Sequence, residues 1–316
     1  MIDEGVAVAV LLAFAWTNGV NDGGTIVAAG SRVASSHPWL PVVILLVALA
    51  AGPLVSTRVA DTLASRLVSF EGQGGAAALT VALVATLAVV WLLTRQGLPT
   101  SLTLGLVGAI AGAGLAAGLP VGWSTIGWVL LVAAAAPAVG LIGAYLLQRA
   151  GRPLLGPMPR VRRALPRVGF LLQCLAYATN DGQKMLAATA VVVSVAVTEV
   201  GAGWWLLTVA TFGAGTVLGF ARIGPTLSAG VLPLRTEEAG YAQIASGAAV
   251  LGSAAIGSPV SLTQAVTGGL VGAGVGITPR RVRWRPVARI AIAWTLTLPA
   301  AFVLAALLGL ALASLP

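Results

Sequence analysis

Nine acidic residues occur in the chain, and only Asp22 and Asp181 lie inside long apolar stretches. Asp3 and Glu4 are terminal, Asp61, Glu71 and Glu199 sit in or beside short loops, and Glu237 and Glu238 form a loop pair. A carboxylate in the middle of a membrane helix costs about 2.5 to 3.5 kcal/mol on the most lenient scale, so it persists when paired, hydrated or bound to a cation. Both aspartates stand in the same setting, Asn21-Asp22-Gly23 and Asn180-Asp181-Gly182. Asn and Asp compete with helical hydrogen bonds and Gly weakens a helix, so each triplet predicts a helix break. A broken membrane helix frees carbonyl oxygens for a cation and N–H groups for an anion. Asn21, Asp22, Asn180 and Asp181 are therefore candidate cation ligands. Their oxygen-only chemistry suits a hard ion such as sodium at Asp22 and Asp181, and a proton on either carboxyl is the alternative. The competing reading is a solvated turn at the interface, which would require two symmetric coincidences where charge is expensive.

A second pair of motifs points to an anion. Gly97-Leu98-Pro99-Thr100-Ser101-Leu102-Thr103 recurs as Gly257-Ser258-Pro259-Val260-Ser261-Leu262-Thr263. Proline just ahead of a helix fixes its direction, Ser or Thr caps the first turn, and the unpaired N–H groups there carry partial positive charge. Such a helix start is an anion site. The hydroxyls of Ser101, Thr103, Ser261 and Thr263 would add donors, which suits a tetrahedral oxyanion. One copy alone reads as ordinary N-capping; two copies favour a site.

Lys184, the only lysine, follows Gly182 by two residues and would neutralise Asp181, attract the anion, or snorkel to the interface. Arg95 is either an edge anchor or an anion guide. His37, the sole histidine, lies beside Pro38 in an expected loop, Cys174 reads as a small core residue, and the tryptophans as interfacial anchors. Walker, Rossmann, HExxH and Ser/His/Asp patterns are absent, so the sequence encodes no ATP-driven engine and no enzyme.

The elements that must hold these residues follow from composition. Of 316 residues only 9% are charged while 58% are hydrophobic, with 40 glycines. A soluble domain usually carries about a quarter charged residues, so the solvent implied is a lipid bilayer. There the backbone must be satisfied internally, and continuous rather than alternating apolar runs select helices. Ten hydrophobic segments are expected near 5–30, 39–57, 76–95, 99–119, 124–148, 168–197, 203–222, 241–256, 259–278 and 288–313. The acidic N-terminal MIDE lacks the basic flank of a secretory signal, so the first run is expected to be retained. The formal net charge of +9 is concentrated in Arg149, Arg152, Arg160, Arg162, Arg163 and Arg167, and in Arg280, Arg281, Arg283, Arg285 and Arg289. Two Arg/Pro loops between apolar runs fit the positive-inside rule better than nucleic-acid binding.

Asn-Asp-Gly repeats after 159 residues and GxPxSLT after 160. This near-constant offset indicates an internal duplication, with residues 1–148 as the first repeat, 149–167 as a basic linker and 168–316 as the second. Both arginine loops fall on one side, expected to be cytoplasmic, with both termini outside and the halves inverted. Each GxPxSLT segment either spans or forms the tip of a re-entrant hairpin, in which case the two tips meet near the midplane.

These four motifs resemble those of the inorganic phosphate transporter (PiT) family of cation-coupled symporters, over nearly the whole chain. Asn18-Gly19-Val20-Asn21-Asp22 and Ala178-Thr179-Asn180-Asp181-Gly182-Gln183-Lys184 are similar to its Gly-Ala-Asn-Asp signatures, and Pro99–Thr103 and Pro259–Thr263 to its Pro-x-Ser-x-Thr tips. Departures are Val20 and Thr179 before Asn-Asp, Leu102 and Leu262 where the first tip Thr stands, and Leu104 and Gln264 where His often follows. The resemblance implies an alternating-access symporter in the cell membrane, a homodimer importing phosphate with Na⁺ or H⁺. It implies anion binding by Gly23, Thr100, Ser101, Leu102, Thr103, Gly182, Lys184, Ser261, Leu262 and Thr263, the leucines through their N–H groups. Sulfate or a related oxyanion, or a passive anion channel, are the alternatives.

Overall fold

A computed structural model describes residues 2–31, 37, 39–70, 74–96, 100–155, 157–223 and 236–314. Gly97, Leu98 and Pro99 of the first GxPxSLT segment, Pro38 and Glu71 lie outside the described residues. The described residues form helices, with one isolated β-bridge between Val68 and Val121. The first half contains α1 (Glu4–Asn18), a π-helical turn Gly19–Gly23, α2 (Gly24–Ser31), α3 (Leu40–Val55), α4 (Arg58–Asp61) with a π turn Thr62–Arg66, α5 (Gly75–Arg95), α6 (Leu102–Ala116) and α7 (Trp123–Leu155). The second contains α8 (Pro159–Thr179), α9 (Asp181–Val192), α10 (Ala202–Ile223), α11 (Thr236–Ala255), α12 (Leu262–Ile277) and α13 (Trp284–Ala313).

The apolar runs thus mark the helices, but the helices are not ten equal spans. Among the described residues four, in α5, α7, α10 and α13, are long and apolar enough to cross a membrane, and α3 with residues 58–66 forms a pair bent by 69° that passes the same test only when taken together. This bent piece was not expected from the sequence. Helices α6 and α12 have 15 and 16 residues; at about 1.5 Å per residue neither reaches across a hydrocarbon core of about 30 Å.

Glycine decides how these helices meet. A Cβ on Gly108 or Gly112 of α6 would lie 2.3 or 2.2 Å from the carbonyl oxygens of Leu298 and Phe302 in α13. On Gly268 or Gly272 of α12 it would lie 2.0 Å from those of Pro137 and Leu141 in α7. Each short helix therefore lies at backbone contact against a long helix of the other half, as small residues allow where lipid supplies no hydrophobic drive. Helices α1 and α2 likewise pack on α10, and α8 on α3. The two sequence halves are consequently intertwined rather than side by side.

The basic segment 149–167 is mostly helical, because α7 continues to Leu155 and α8 starts with Pro159 at a position where proline's missing N–H costs nothing. Its Arg162 pairs with Glu237 at 2.7 Å, while Arg281 from the other arginine cluster pairs with Glu238 at 3.1 Å. Both acids stand in the first turn of α11, so the two clusters meet at one end of the bundle.

Candidate functional site

The second Asn-Asp-Gly breaks its helix as the sequence predicts. Asn180, with φ −121° and ψ −71°, separates α8 from α9. Its side chain then holds the second tip from both sides: Nδ2 donates to the Ser258 carbonyl at 3.1 Å and to Ser253 Oγ at 3.4 Å, and Oδ1 accepts from the Val260 N–H at 3.0 Å. The sequence reading placed Asn180 among cation ligands, whereas its side-chain oxygen is engaged with the tip backbone.

Asp181 opens α9 and is 3% exposed. One turn later Lys184, 2% exposed, donates to Asp181 Oδ1 at 2.5 Å, to Thr103 Oγ1 at 2.5 Å and to the Val260 carbonyl at 2.6 Å. An ammonium has three protons, and all three are used. Thr103 Oγ1 also donates to the Val260 carbonyl at 3.2 Å. The starts of α6 and α12 therefore touch, and Lys184 ties both to Asp181. Of the three expected roles for Lys184, neutralising Asp181 is seen and snorkelling is not.

The first motif is built differently. Instead of breaking, the helix widens into the π turn Gly19–Gly23 and continues as α2, with helical dihedrals at Asn18, Gly19 and Gly24. The cause is close packing. A Cβ on Gly19 would lie 2.0 Å from the Phe212 carbonyl, and on Gly24 2.6 Å from the Gly219 carbonyl carbon, so α10 holds this stretch helical and accommodates one extra residue per turn. Such π turns recur at functional sites. Asn21 and Asp22 are half-buried, and among the described residues neither side chain has a hydrogen-bond partner; the Asn21 carbonyl accepts from Thr25 Oγ1 at 2.7 Å. Asp22 lies near enough to Asp181 and Lys184 to interact with them electrostatically, so the two motifs approach one another.

The remaining expected residues divide. Ser101 caps α6 by accepting from the Leu104 N–H at 3.3 Å, while Ser261 bonds Thr263 at 2.7 Å instead of its own helix start. Thr100 and Thr263 are half-buried. Leu102 and Leu262 bury their side chains in the hydrophobic core. Gly23 is spaced for Thr216 and Phe212 of α10, and Gly182 for Leu49 of α3, so their missing side chains face protein. Arg95 is exposed and stacks 3.9 Å over Trp91, an edge position rather than a place beside the tips.

Among the described residues several buried polar atoms here have no partner: Asp181 Oδ2, Tyr177 Oη, Ser258 Oγ and Gln264 Oε1. Unsatisfied buried groups are costly, and their concentration around Asp181 and the second tip makes this the candidate place for a polar solute. Tyr177 interacts electrostatically with Asp22 and Asp181 and packs on Phe212 with ring centroids 5.4 Å apart. The sequence reading missed Tyr177, although a phenol hydroxyl four residues before Asp181 in an apolar run was a usable signal. It also missed Gln183, whose Oε1 accepts from the Val59 and Ala60 N–H groups at 2.8 and 3.0 Å and so anchors α4. Among the described residues no three His, Cys, Asp or Glu side chains converge, so any cation here must draw on hydroxyl, amide and backbone oxygens as well.

The profile described as "Phosphate transporter family" matches residues 18–175 and 168–305. Among curated proteins, one called "Probable low-affinity inorganic phosphate transporter" from Mycobacterium bovis is 34% identical, over 94% of this chain and 74% of its own length. One of the same description from Bacillus subtilis is 25% identical over 94% of this chain and 93% of its own. A solved structure titled "The sodium-dependent phosphate transporter" superposes with a TM-score of 0.81, covering 99% of both chains at 18% identity. At that identity the likeness shows the fold.

Proposed function

We propose that this chain, which belongs to the phosphate transporter family, imports inorganic phosphate by symport with Na⁺ or H⁺ through alternating access. The observation that carries this reading is that Lys184 ties Asp181 to the touching starts of α6 and α12, with Asp22 near enough to interact electrostatically with both side chains. With both carboxylates ionised and the ammonium protonated, these three side chains sum to one negative charge. An anion brought into such a low-dielectric site is opposed unless a cation comes too. Obligatory co-binding is the physical basis of symport.

In this reading Asp22 and Asp181 draw the cation, with Asn21 beside it, and Asn180 acts on the anion by fixing the second tip. The hydroxyls of Thr100, Ser101, Ser261 and Thr263 and the N–H groups of Leu102 and Leu262 receive phosphate oxygens, while Thr103 holds the two tips together. Gly23 and Gly182 contribute by close packing, and Lys184 supplies positive charge. Two buried acceptors without partners, Asp181 Oδ2 and Gln264 Oε1, favour phosphate over sulfate, since phosphate near neutral pH keeps an O–H to donate and sulfate has none.

The equivalent glycine contacts of α6 on α13 and α12 on α7 support two inverted repeats, 1–148 and 168–316, rocking about the shared site. The end where both arginine clusters meet Glu237 and Glu238 is assigned to the cytoplasm, with both termini outside. The protein is placed in the cell membrane as a homodimer.

Uptake of labelled phosphate and labelled sulfate into proteoliposomes under an imposed sodium or proton gradient tests the reading. Phosphate accumulation under one gradient is expected. Sulfate accumulating in its place would move the substrate, and equilibration without accumulation would indicate a passive channel.

A further inference from the structure

Carboxylate, hydroxyl and main-chain carbonyl oxygens are the ligands that hard cations take from proteins. Asp181 Oδ1, Thr103 Oγ1 and the Val260 carbonyl form such a set, drawn from α9 and from the starts of both tips, and Lys184 Nζ lies within 2.5 to 2.6 Å of all three. We propose that Lys184 is a resident substitute for a transported cation: it permanently fills one of two equivalent cation cages, so the mobile driving ion is confined to the other.

The duplication locates that second cage. Shifting Asp181 back by 159 residues gives Asp22, and shifting Thr103 and Val260 by 160 gives Thr263 and Thr100. The 159-residue shift that relates Asp181 to Asp22 takes Lys184 to Thr25, whose hydroxyl is turned to the Asn21 carbonyl. By sequence equivalence the first motif thus supplies the cage residues without the tethered ammonium. Burial agrees: Asp181, Thr103 and Val260 are all buried, whereas Asp22, Thr263 and Thr100 are all half-buried. A cage closed around its own charge needs no opening, and one that exchanges an ion with water does. The consequence is a stoichiometry one cation lower than two unfilled cages would give.

The assignment rests on the symport reading, and the test separates the two. Phosphate uptake by proteoliposomes is measured against concentration of the driving ion for wild type, Lys184→Gln and Asp181→Asn/Lys184→Gln. Lys184→Gln opens the second cage with its carboxylate intact, so its ion dependence is expected to steepen by about one in Hill slope. The double variant removes both charges and is expected to return to the wild-type slope. Should Lys184→Gln bind but not transport, thermal unfolding of the purified protein gives the same readout: a larger ion-specific rise in Tm than in wild type, abolished in the double variant. Equal slopes, or equal Tm rises, in wild type and Lys184→Gln would overturn the role given to Lys184 and leave symport standing. Wild-type uptake indifferent to both ion gradients would sink the symport reading and the role of Lys184 with it.

Discussion

Thr103 of the first half donates to the Val260 carbonyl of the second at 3.2 Å while accepting from Lys184. This one hydroxyl is therefore both a contact between the two tips and part of the ammonium's cage.

Replacing Thr103 by Val removes that hydroxyl at nearly constant shape and leaves a buried ammonium one acceptor short. An unsatisfied buried polar group costs about 1 to 3 kcal/mol. The expected outcome is a lower Tm in detergent and a marked loss of phosphate uptake, with Thr103→Ser close to wild type in both. Wild-type stability in Thr103→Val would show that the hydroxyl does not serve the ammonium.

Asn21 and Asn180 should part company kinetically. Asn180 spends its amide on the second tip, so Asn180→Ala should raise the KM for phosphate roughly tenfold, the equivalent of about 1.4 kcal/mol, with the half-saturating ion concentration little changed. Asn21→Ala should shift the ion dependence instead. Identical effects from the two variants would contradict their division of labour.

Gly112→Ala and Gly272→Ala should fail alike, because each new methyl would meet the carbonyl of Phe302 or Leu141 near 2 Å. Overpacking costs about 1 to 3 kcal/mol or more. Recovery of monodisperse protein in size-exclusion chromatography measures this; a neutral result for either would argue against the shared packing.

At the arginine-rich end, Glu238 is buried and Glu237 is not, although each pairs with an arginine. Exposed ion pairs contribute little, while taking one partner from a buried charge is costly. Arg281→Ala should therefore lower Tm more than Arg162→Ala, and high salt should mask only the second effect.

What the sequence disclosed follows the range of the interactions. The apolar runs placed the helices to within a few residues because lipid burial is a property of contiguous segments, and the arginines of 149–167 hid the extensions of α7 and α8 because charge at a membrane edge reads as a loop while a helix can carry it past the surface. The Asn-Asp-Gly motifs are identical in sequence, yet the triplet breaks at Asn180 and widens into a π turn at Asn21. That difference is set by α10, whose Phe212 and Gly219 backbones press on Gly19 and Gly24, nearly two hundred residues away in sequence. The partners of Lys184 and Asn180 are likewise 73 to 81 residues distant, apart from Asp181, and no local pattern encodes them. Local chemistry named the residues, and tertiary packing assigned their duties.

The central claim, that phosphate enters only with a cation drawn by Asp22, is tested most directly in proteoliposomes carrying wild type or Asp22→Asn, with labelled phosphate outside and an inward gradient of sodium or of protons. Wild type is expected to accumulate phosphate above equilibrium under one of the gradients, and Asp22→Asn to lose that accumulation while remaining folded. Accumulation by Asp22→Asn with the wild-type ion dependence would contradict the account.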